Sequence, residues 1–244
     1  MKQRRDGTDT MRYDTLLLDA DGTLLDFERS EKEAFCEALA SFGVTATEEM
    51  VATYSAINDD LWKQLERGEI LRSVLLYRRF ELFFERYGIR ADAHEMAATY
   101  MRTLTSKGYV LEGADALCER LSKCCRLYIV TNGTEVIQNG RLADSGLLPY
   151  LTGCFVSEPI GYNKPSEKFF EYVAEHIPSF SKEKTMIVGD SLSSDILGGI
   201  GFGIDTCWYN PKNKKAPVEM DGKITYTAKT FDEILACVTE GEIL

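Results

Sequence analysis

The sequence is poor in the residues that build zinc sites and histidine-based catalytic centres. It has only two histidines, His94 and His176, which lie far apart and belong to no motif. Its seven cysteines show no regular spacing, and no Cys-x-x-Cys pair occurs. Zinc chemistry and histidine catalysis therefore have little support. Such cysteines are typical of reduced thiols in a cytosolic protein, so we expect a cytoplasmic location.

Long apolar runs and an excess of positive charge are also missing. No stretch is apolar and long enough to span a membrane, and no signal-peptide pattern opens the chain. The 39 acidic and 28 basic residues give a formal net charge of −11, which would repel a polyanion. We therefore expect neither a membrane nor a nucleic acid polymer as partner. The 244 residues, 44% of them hydrophobic, fit a globular protein of one large or two modest domains.

Two aspartates follow the first short apolar run of the chain. The run Thr-Leu-Leu-Leu at 15–18 is too short for a core helix and ends near Gly22, which favours a buried parallel strand. Asp19 and Asp21 then lie at its carboxyl end, where open α/β sheets bind their ligands. Two neighbouring carboxylates repel each other and need a cation or a shared proton. The alternative interpretation is an Asp-Gly turn that closes a hairpin.

Two later apolar runs also end in polar residues. The run at 127–130 ends in a Thr-Asn-Gly turn at 131–133. The run at 186–188 ends in Gly-Asp-Ser at 189–191, with Asp195 four residues beyond. Between these two runs, a loop that precedes a predicted helix carries Lys164, followed by Pro165.

In this order, the four stretches resemble the motifs of the haloacid dehalogenase superfamily: DxDGT, a Thr or Ser after the second strand, a Lys before a helix, and GDSxxSD. The resemblance extends from Leu16 to about Trp208. It implies an α/β fold, in which a Rossmann-like parallel-sheet core carries a helical-bundle cap domain inserted after the first strand.

Residues 29–104 have helical periodicity. Four amphipathic stripes, the first from Glu31 to Phe42, are joined by short connections and end at glycines, which predicts a small helical bundle. From Gly113 onward, short strands alternate with helices, which predicts right-handed crossovers and a parallel sheet covered on both faces.

The resemblance gives these segments domain roles. Residues 26–105 would form the helical cap domain, and residues 12–25 and 106–244 the catalytic core. We interpret residues 1–11 as a flexible N-terminal arm, because they are polar and lack periodicity. We further hypothesise that Met11 is the functional start or that the arm is dispensable.

The first motif is expected to carry the chemistry of a phosphate monoester hydrolase. Asp19 would be the nucleophile that attacks phosphorus and forms an aspartyl-phosphate. Asp21 would be the general acid and base, and Thr23 would order the loop. The dehalogenases of the superfamily lack the second carboxylate, so Asp21 argues against carbon–halogen chemistry.

Mg²⁺ is the expected cofactor, because carboxylate oxygens suit this ion. The resemblance implies Asp19, Asp190 and the backbone carbonyl of Asp21 as its protein ligands. We expect Asp195 to lie beside them, directed toward a metal-bound water or Lys164.

Phosphate oxygens are expected to bind at the second and third motifs. The Thr131 hydroxyl and the amides of Asn132 and Gly133 would donate hydrogen bonds to phosphate. Lys164 would steady the nucleophile and the transferring phosphoryl group. These groups would attract a small phosphorylated metabolite to a chain of negative net charge.

Further stretches resemble the bacterial house-cleaning pyrimidine 5′-nucleotidases. They are Asp-Ala-Asp at 19–21 followed by Thr-Leu at 23–24, Asn-x-x-Leu-Trp at 58–62, Ser-Asp-Ile-Leu-Gly-Gly at 194–199 and Cys-Trp-x-Asn at 207–210. The resemblance implies a nucleoside monophosphate as substrate. Phe27 and Trp62 are equal candidates for contact with the base, although a tryptophan on a helix, such as Trp62, more often belongs to the core.

Two other functions stay open at this point. One is a sugar-phosphate phosphatase or phosphomutase on the same scaffold, and the other is a binding module without enzymatic activity. The intact motif residues disfavour the binding module. The sequence does not distinguish a monomer from a homodimer.

Overall fold

A single parallel sheet organises the chain. The computed structural model describes residues 12–239, so the predicted arm and the Met11 hypothesis lie outside the described residues. The strand order is β3-β2-β1-β4-β5-β6, with all pairs parallel. The bounds are β1 (Thr15–Leu18), β2 (Arg126–Thr131), β3 (Gly153–Val156), β4 (Thr185–Gly189), β5 (Asp205–Tyr209) and β6 (Tyr226–Ala228). The α/β prediction is confirmed, and β6 adds an edge strand to the five that the sequence predicted.

Strand β1 occupies the middle of the sheet because it is apolar on both faces. Leu17 pairs with Tyr128 of β2 on one side and with Ile187 of β4 on the other. All four β1 residues are buried. Asp19 and Asp21, which follow β1, therefore lie beyond the end of a central strand. The interpretation as a hairpin turn is wrong, because β1 pairs only with parallel strands.

Four helices between β1 and β2 form what we call the helical unit. They are α1 (Phe27–Ala40), α2 (Glu48–Glu66), α3 (Arg72–Tyr87) and α4 (Ala93–Thr105). Their inward faces make a hydrophobic cluster of their own, which includes the stacked rings of Phe35 and Tyr54 at 4.2 Å. Helix α1 begins four residues before the predicted Glu31, because the Asp26 carboxylate accepts a hydrogen bond from the Arg29 amide at 3.0 Å and caps the helix there.

The remaining helices cover both faces of the sheet, as the alternating pattern predicts. Helices α5, α6 and α10 contribute to the cluster on one face, and α8 and α9 to the cluster on the other. Their bounds are α5 (Ala114–Leu121), α6 (Glu135–Ser145), α7 (Ser157–Ile160), α8 (Glu167–His176), α9 (Leu197–Phe202) and α10 (Phe231–Val238). A π-helical turn at Leu192–Ile196 leads into α9. Helix α6 also touches the helical unit, since Ile137 joins the cluster of that unit.

Two further features concern the cysteines and the length of the apolar helices. All seven cysteines are free thiols. Among residues 12–239, no helix has the length and apolar character that a membrane crossing requires.

Candidate active site

The carboxyl ends of β1, β2 and β4 bring three of the predicted motifs together. The strands are in register, so Leu18 lies between Ile129 and Val188. The Asp19 amide continues this ladder and donates to the Val188 carbonyl at 2.9 Å. Asp19, Thr131 and Asp190 consequently line one cavity.

Both carboxylate oxygens of Asp19 are held. Oδ1 accepts a hydrogen bond from Lys164 Nζ at 2.7 Å, and Oδ2 accepts one from Thr23 Oγ1 at 3.2 Å. The residue is 7% exposed. Burial raises the pKa of Asp19, which Lys164 opposes and the nearby carboxylates reinforce. The carboxylate is thus oriented by a cation on one side and a hydroxyl on the other.

Lys164 uses all three of its N–H donors inside the protein. Besides Asp19, it donates to Asp195 Oδ1 at 2.7 Å and to the Val130 carbonyl at 2.6 Å. Burial alone would lower the pKa of Lys164, but the two carboxylates raise it above its ordinary value. Its charge therefore compensates the two buried carboxylates of Asp19 and Asp195, so Lys164 is not a solvated loop lysine.

Three carboxylates meet around this lysine. Asp19, Asp190 and Asp195 each offer an oxygen within 4.8 Å of the others. Asp195 is fully engaged, because its second oxygen accepts from the Ser191 amide at 3.1 Å. Burial, with Asp195 next in importance, raises the pKa of Asp190 to about 7. A cluster of hard oxygen donors with uncompensated negative charge fits a bound Mg²⁺.

Asp21 points away from that cluster, toward α6. Its Oδ2 accepts from Gln138 Nε2 at 2.8 Å, and its Oδ1 forms an ion pair with Arg141. Arg141 is fully buried. Neither α6 residue was predicted from the sequence. Their sequence signal is their position beside Ile137 and Leu142, which places two polar side chains on the inward face of a helix.

The turn after β2 has the expected composition and an internal hydrogen-bond network. Thr131 Oγ1 accepts from the Gly133 amide at 3.1 Å and from Gln138 Nε2 at 2.6 Å. The Asn132 side chain exchanges two hydrogen bonds with the Lys164 backbone, N–H to Oδ1 at 2.8 Å and Nδ2 to carbonyl at 2.9 Å. The second and third motifs are thereby tied to each other.

Thr23 connects the first motif to the fourth. Its hydroxyl oxygen accepts from the Asp190 amide at 3.1 Å while the hydroxyl donates to Asp19. Thr23 thereby links the loop after β1 to the loop after β4.

The helical unit closes one side of the cavity. The cavity has a volume of about 520 Å³ and is lined by Phe27 and Trp62 as well as by the motif residues. The Arg141 guanidinium lies 5.4 Å from the Phe27 ring centroid, and the Arg72 guanidinium lies 5.5 Å from the Trp62 ring centroid. Trp62 is half-buried against an apolar cluster and also borders the cavity, so both interpretations of this residue describe part of its environment.

Arg72 is a further residue that the sequence did not reveal. From the first turn of α3, it donates hydrogen bonds to four oxygens of the sheet core. No motif contains it, because its partners lie 60 to 91 residues away along the chain.

Comparisons with known proteins show what the chain is similar to. The family model of haloacid dehalogenase-like hydrolases matches residues 13–203. The chain is 40% identical to the HAD-hydrolase YfnB of Bacillus subtilis, over 91% of this chain and 94% of that protein. A crystal structure of YfnB bound to magnesium, described as revealing interdomain movement, superposes with a TM-score of 0.88 and covers 93% of this chain and 99% of that one.

Two relatives that match most of the chain are named for the same activity. The pyrimidine 5′-nucleotidase PynA of Streptococcus pneumoniae is 39% identical over 93% of this chain and 96% of its own length. The pyrimidine 5′-nucleotidase YjjG of Escherichia coli is 31% identical over 85% of this chain and 90% of its own length.

Proposed function

This chain belongs to the haloacid dehalogenase-like hydrolase family, and we propose that it is a Mg²⁺-dependent phosphatase of pyrimidine nucleoside 5′-monophosphates. One observation carries the phosphatase assignment: the buried Asp19 carboxylate, oriented by Lys164 and Thr23, shares a cavity with a second carboxylate, Asp21. The identity to two pyrimidine 5′-nucleotidases supports the substrate class.

Asp19 acts as the nucleophile in this proposal. Its oxygen forms a bond to phosphorus while the ester oxygen leaves and takes a proton from Asp21. Water then attacks the phosphorus of the aspartyl-phosphate and gives its proton to Asp21. The Asp19 oxygen–phosphorus bond breaks, phosphate leaves, and both carboxylates return to their first state.

Lys164, Thr131 and the turn at 131–133 stabilise the phosphoryl group. Lys164 fixes Asp19 for attack and places a positive charge beside the phosphoryl oxygens. The Thr131 hydroxyl and the backbone amides of Asn132 and Gly133 supply donors for those oxygens.

Asp19, Asp190 and the backbone carbonyl of Asp21 would hold the metal ion. Asp195 would lie beside the metal ligands without binding the ion, since its two oxygens accept hydrogen bonds from Lys164 and the Ser191 amide. When bound, Mg²⁺ neutralises phosphoryl charge and orients the phosphate for in-line attack.

The helical unit serves as the cap in this proposal, with the domain boundaries at residues 26–105 for the cap and at 12–25 and 106–244 for the core. Phe27 and Trp62 supply aromatic surface for a base within a cavity whose size is typical of small-molecule sites. The free cysteines and the cofactor suit a cytoplasmic enzyme.

The test is phosphate release with Mg²⁺ from a substrate panel, with Asp19→Asn as control. The panel contains UMP, dUMP and dTMP, two purine nucleotides, and hexose and triose phosphates. We expect the pyrimidine nucleotides to have the highest kcat/KM and D19N to release no phosphate. Faster turnover of sugar phosphates would overturn the substrate class. Transfer of phosphate to a second sugar without its release would indicate a mutase, and activity in D19N would overturn the mechanism.

A further inference from the structure

Arg72 joins the helical unit to the turn that we propose binds phosphate. It is the first residue of α3, and it donates to the carbonyls of Asn132 at 2.8 Å and Gly133 at 2.9 Å. Its other terminal nitrogen donates to Ser157 Oγ and to Asn163 Oδ1, both at 2.7 Å. One side chain therefore reaches the second motif, the start of α7 and the residue that precedes Lys164.

The two carbonyl contacts fix the direction of two successive peptide groups. In a planar trans peptide, the carbonyl and the N–H point to opposite sides. Because Arg72 binds the carbonyls of Asn132 and Gly133, the N–H groups of Gly133 and Thr134 face the other way. Gly133 and Thr134 line the cavity, and the Gly133 amide already points to Thr131 Oγ1 at 3.1 Å.

A guanidinium suits this position better than any other side chain. Its planar fork can donate to several acceptors in different directions, which an ammonium on a flexible stem cannot do with the same geometry. All four hydrogen-bond acceptors of Arg72 within the described chain are neutral oxygens. Glu158 acts on the Arg72 charge only through space. The positive charge of Arg72 therefore adds to the attraction of an anion at the turn, because no hydrogen-bonded carboxylate cancels it.

We propose that Arg72 is a positioning residue that holds the turn at 131–134 with its amides directed at the substrate phosphate. This inference rests on the proposed phosphatase function. Because Arg72 belongs to the helical unit, the turn acquires this arrangement only while α3 lies against the sheet core. The residue acts through the turn and not on the reacting atoms.

The test compares Arg72→Ala and Arg72→Lys with Arg78→Ala. Arg78 lies on the same helix, and its side chain is 41% exposed, in ion pairs with Glu81 and Glu85. KM and kcat are measured on the best substrate of the panel. The Kd of inorganic phosphate in the presence of Mg²⁺ is measured by calorimetry, and circular dichroism checks the fold.

We expect R72A to raise KM and the phosphate Kd by about tenfold or more, with kcat changed by no more than about threefold, because misplaced donors weaken binding of the phosphate. R72K should lie between R72A and the wild type, and R78A should match the wild type. If R72A does not fold, R72K alone must show weaker phosphate binding. An unchanged phosphate Kd in the folded Arg72 variants overturns the inference. Failure of the wild type to release phosphate from any substrate would instead overturn the proposed function.

Discussion

Arg141 and Asp21 form an ion pair that joins the inward face of α6 to the turn after β1. The same guanidinium donates to the Lys107 carbonyl at 3.2 Å and to Ser30 Oγ at 3.4 Å. Ser30 lies near the point where the chain enters the helical unit, and Lys107 lies where it leaves. The proposed acid–base carboxylate is therefore connected to both covalent links between the helical unit and the sheet core.

Replacing Arg141 should impair the chemical step more than substrate binding. We expect Arg141→Lys to lower kcat by about tenfold to a hundredfold with a small change in KM, because a misoriented Asp21 transfers protons poorly. Steady-state kinetics of phosphate release measures this split. Arg102→Lys is the matched control, since Arg102 is exposed on α4 and its side chain donates a hydrogen bond only to Thr99 within the described chain. An equal loss of kcat in both variants would contradict the assignment.

Position 22 requires glycine for two reasons: its backbone is left-handed, and Asp190 lies too close for a side chain. Its φ is +83°, and an added Cβ would lie 2.9 Å from Asp190 Oδ2. We expect Gly22→Ala to cost about 1–2 kcal/mol of stability through the left-handed backbone and to reduce activity further by displacing Asp190. Gly43→Ala separates the two effects, because Gly43 has φ +76° and, apart from its chain neighbours, no atom of the described residues lies within 4 Å of the added Cβ. Chemical denaturation and kinetics should show lower stability in both variants and lower activity in G22A alone.

A row of buried polar side chains, linked by hydrogen bonds, crosses the helical unit. Arg79 Nη1 donates to Asn58 Oδ1 at 3.0 Å, and Asn58 Nδ2 donates to Glu31 Oε1 at 2.7 Å. Ser55 also donates to the Glu31 carboxylate. Burial is the largest cause that raises the pKa of Glu31, from an ordinary 4.5 to about 7.

This raised pKa predicts a specific pH dependence of stability. Below about pH 4.5, Glu31 is protonated in both the folded and the unfolded chain. As the pH rises toward 7, the unfolded chain loses this proton more readily, so the folded state loses about 3 kcal/mol relative to it. Urea unfolding at pH 5 and pH 8 should show that Glu31→Gln removes this loss. Glu49→Gln, at an exposed position on α2, should keep the wild-type pH dependence.

Metal removal should affect the stability of the wild type but not that of Asp190→Asn. Binding of Mg²⁺ to the folded state alone adds about 3 kcal/mol when the ion is about a hundredfold above its Kd. Thermal unfolding with EDTA and with Mg²⁺ measures the difference. D190N should show no response to Mg²⁺. At pH 8 in EDTA it should be at least as stable as the wild type, because it lacks a buried carboxylate with a pKa of about 7. A full Mg²⁺ response in D190N would exclude Asp190 as a ligand.

The sequence by itself determined the parallel sheet and the location of the motif residues. Short apolar runs are long enough to cross a sheet once, and the polar residues after them must emerge at its carboxyl edge. The positions of Asp19, Thr131 and Asp190 follow from that rule alone. The same reasoning identified the helical unit, because amphipathic periodicity is a local property of the chain.

Only the tertiary structure revealed the residues that hold these groups in place. Arg72 lies 60 residues from Asn132, and Arg141 lies 120 residues from Asp21. Such pairings depend on how α3 and α6 pack against the turns of the sheet core, and no local pattern encodes them. Lys164 shows the same division: its position in the chain marked it as a candidate, but its burial between Asp19 and Asp195 arises only when three distant segments meet. A charge is held there because the folded interior supplies its partners at hydrogen-bonding distance, which is a property of the packed chain and not of any one segment.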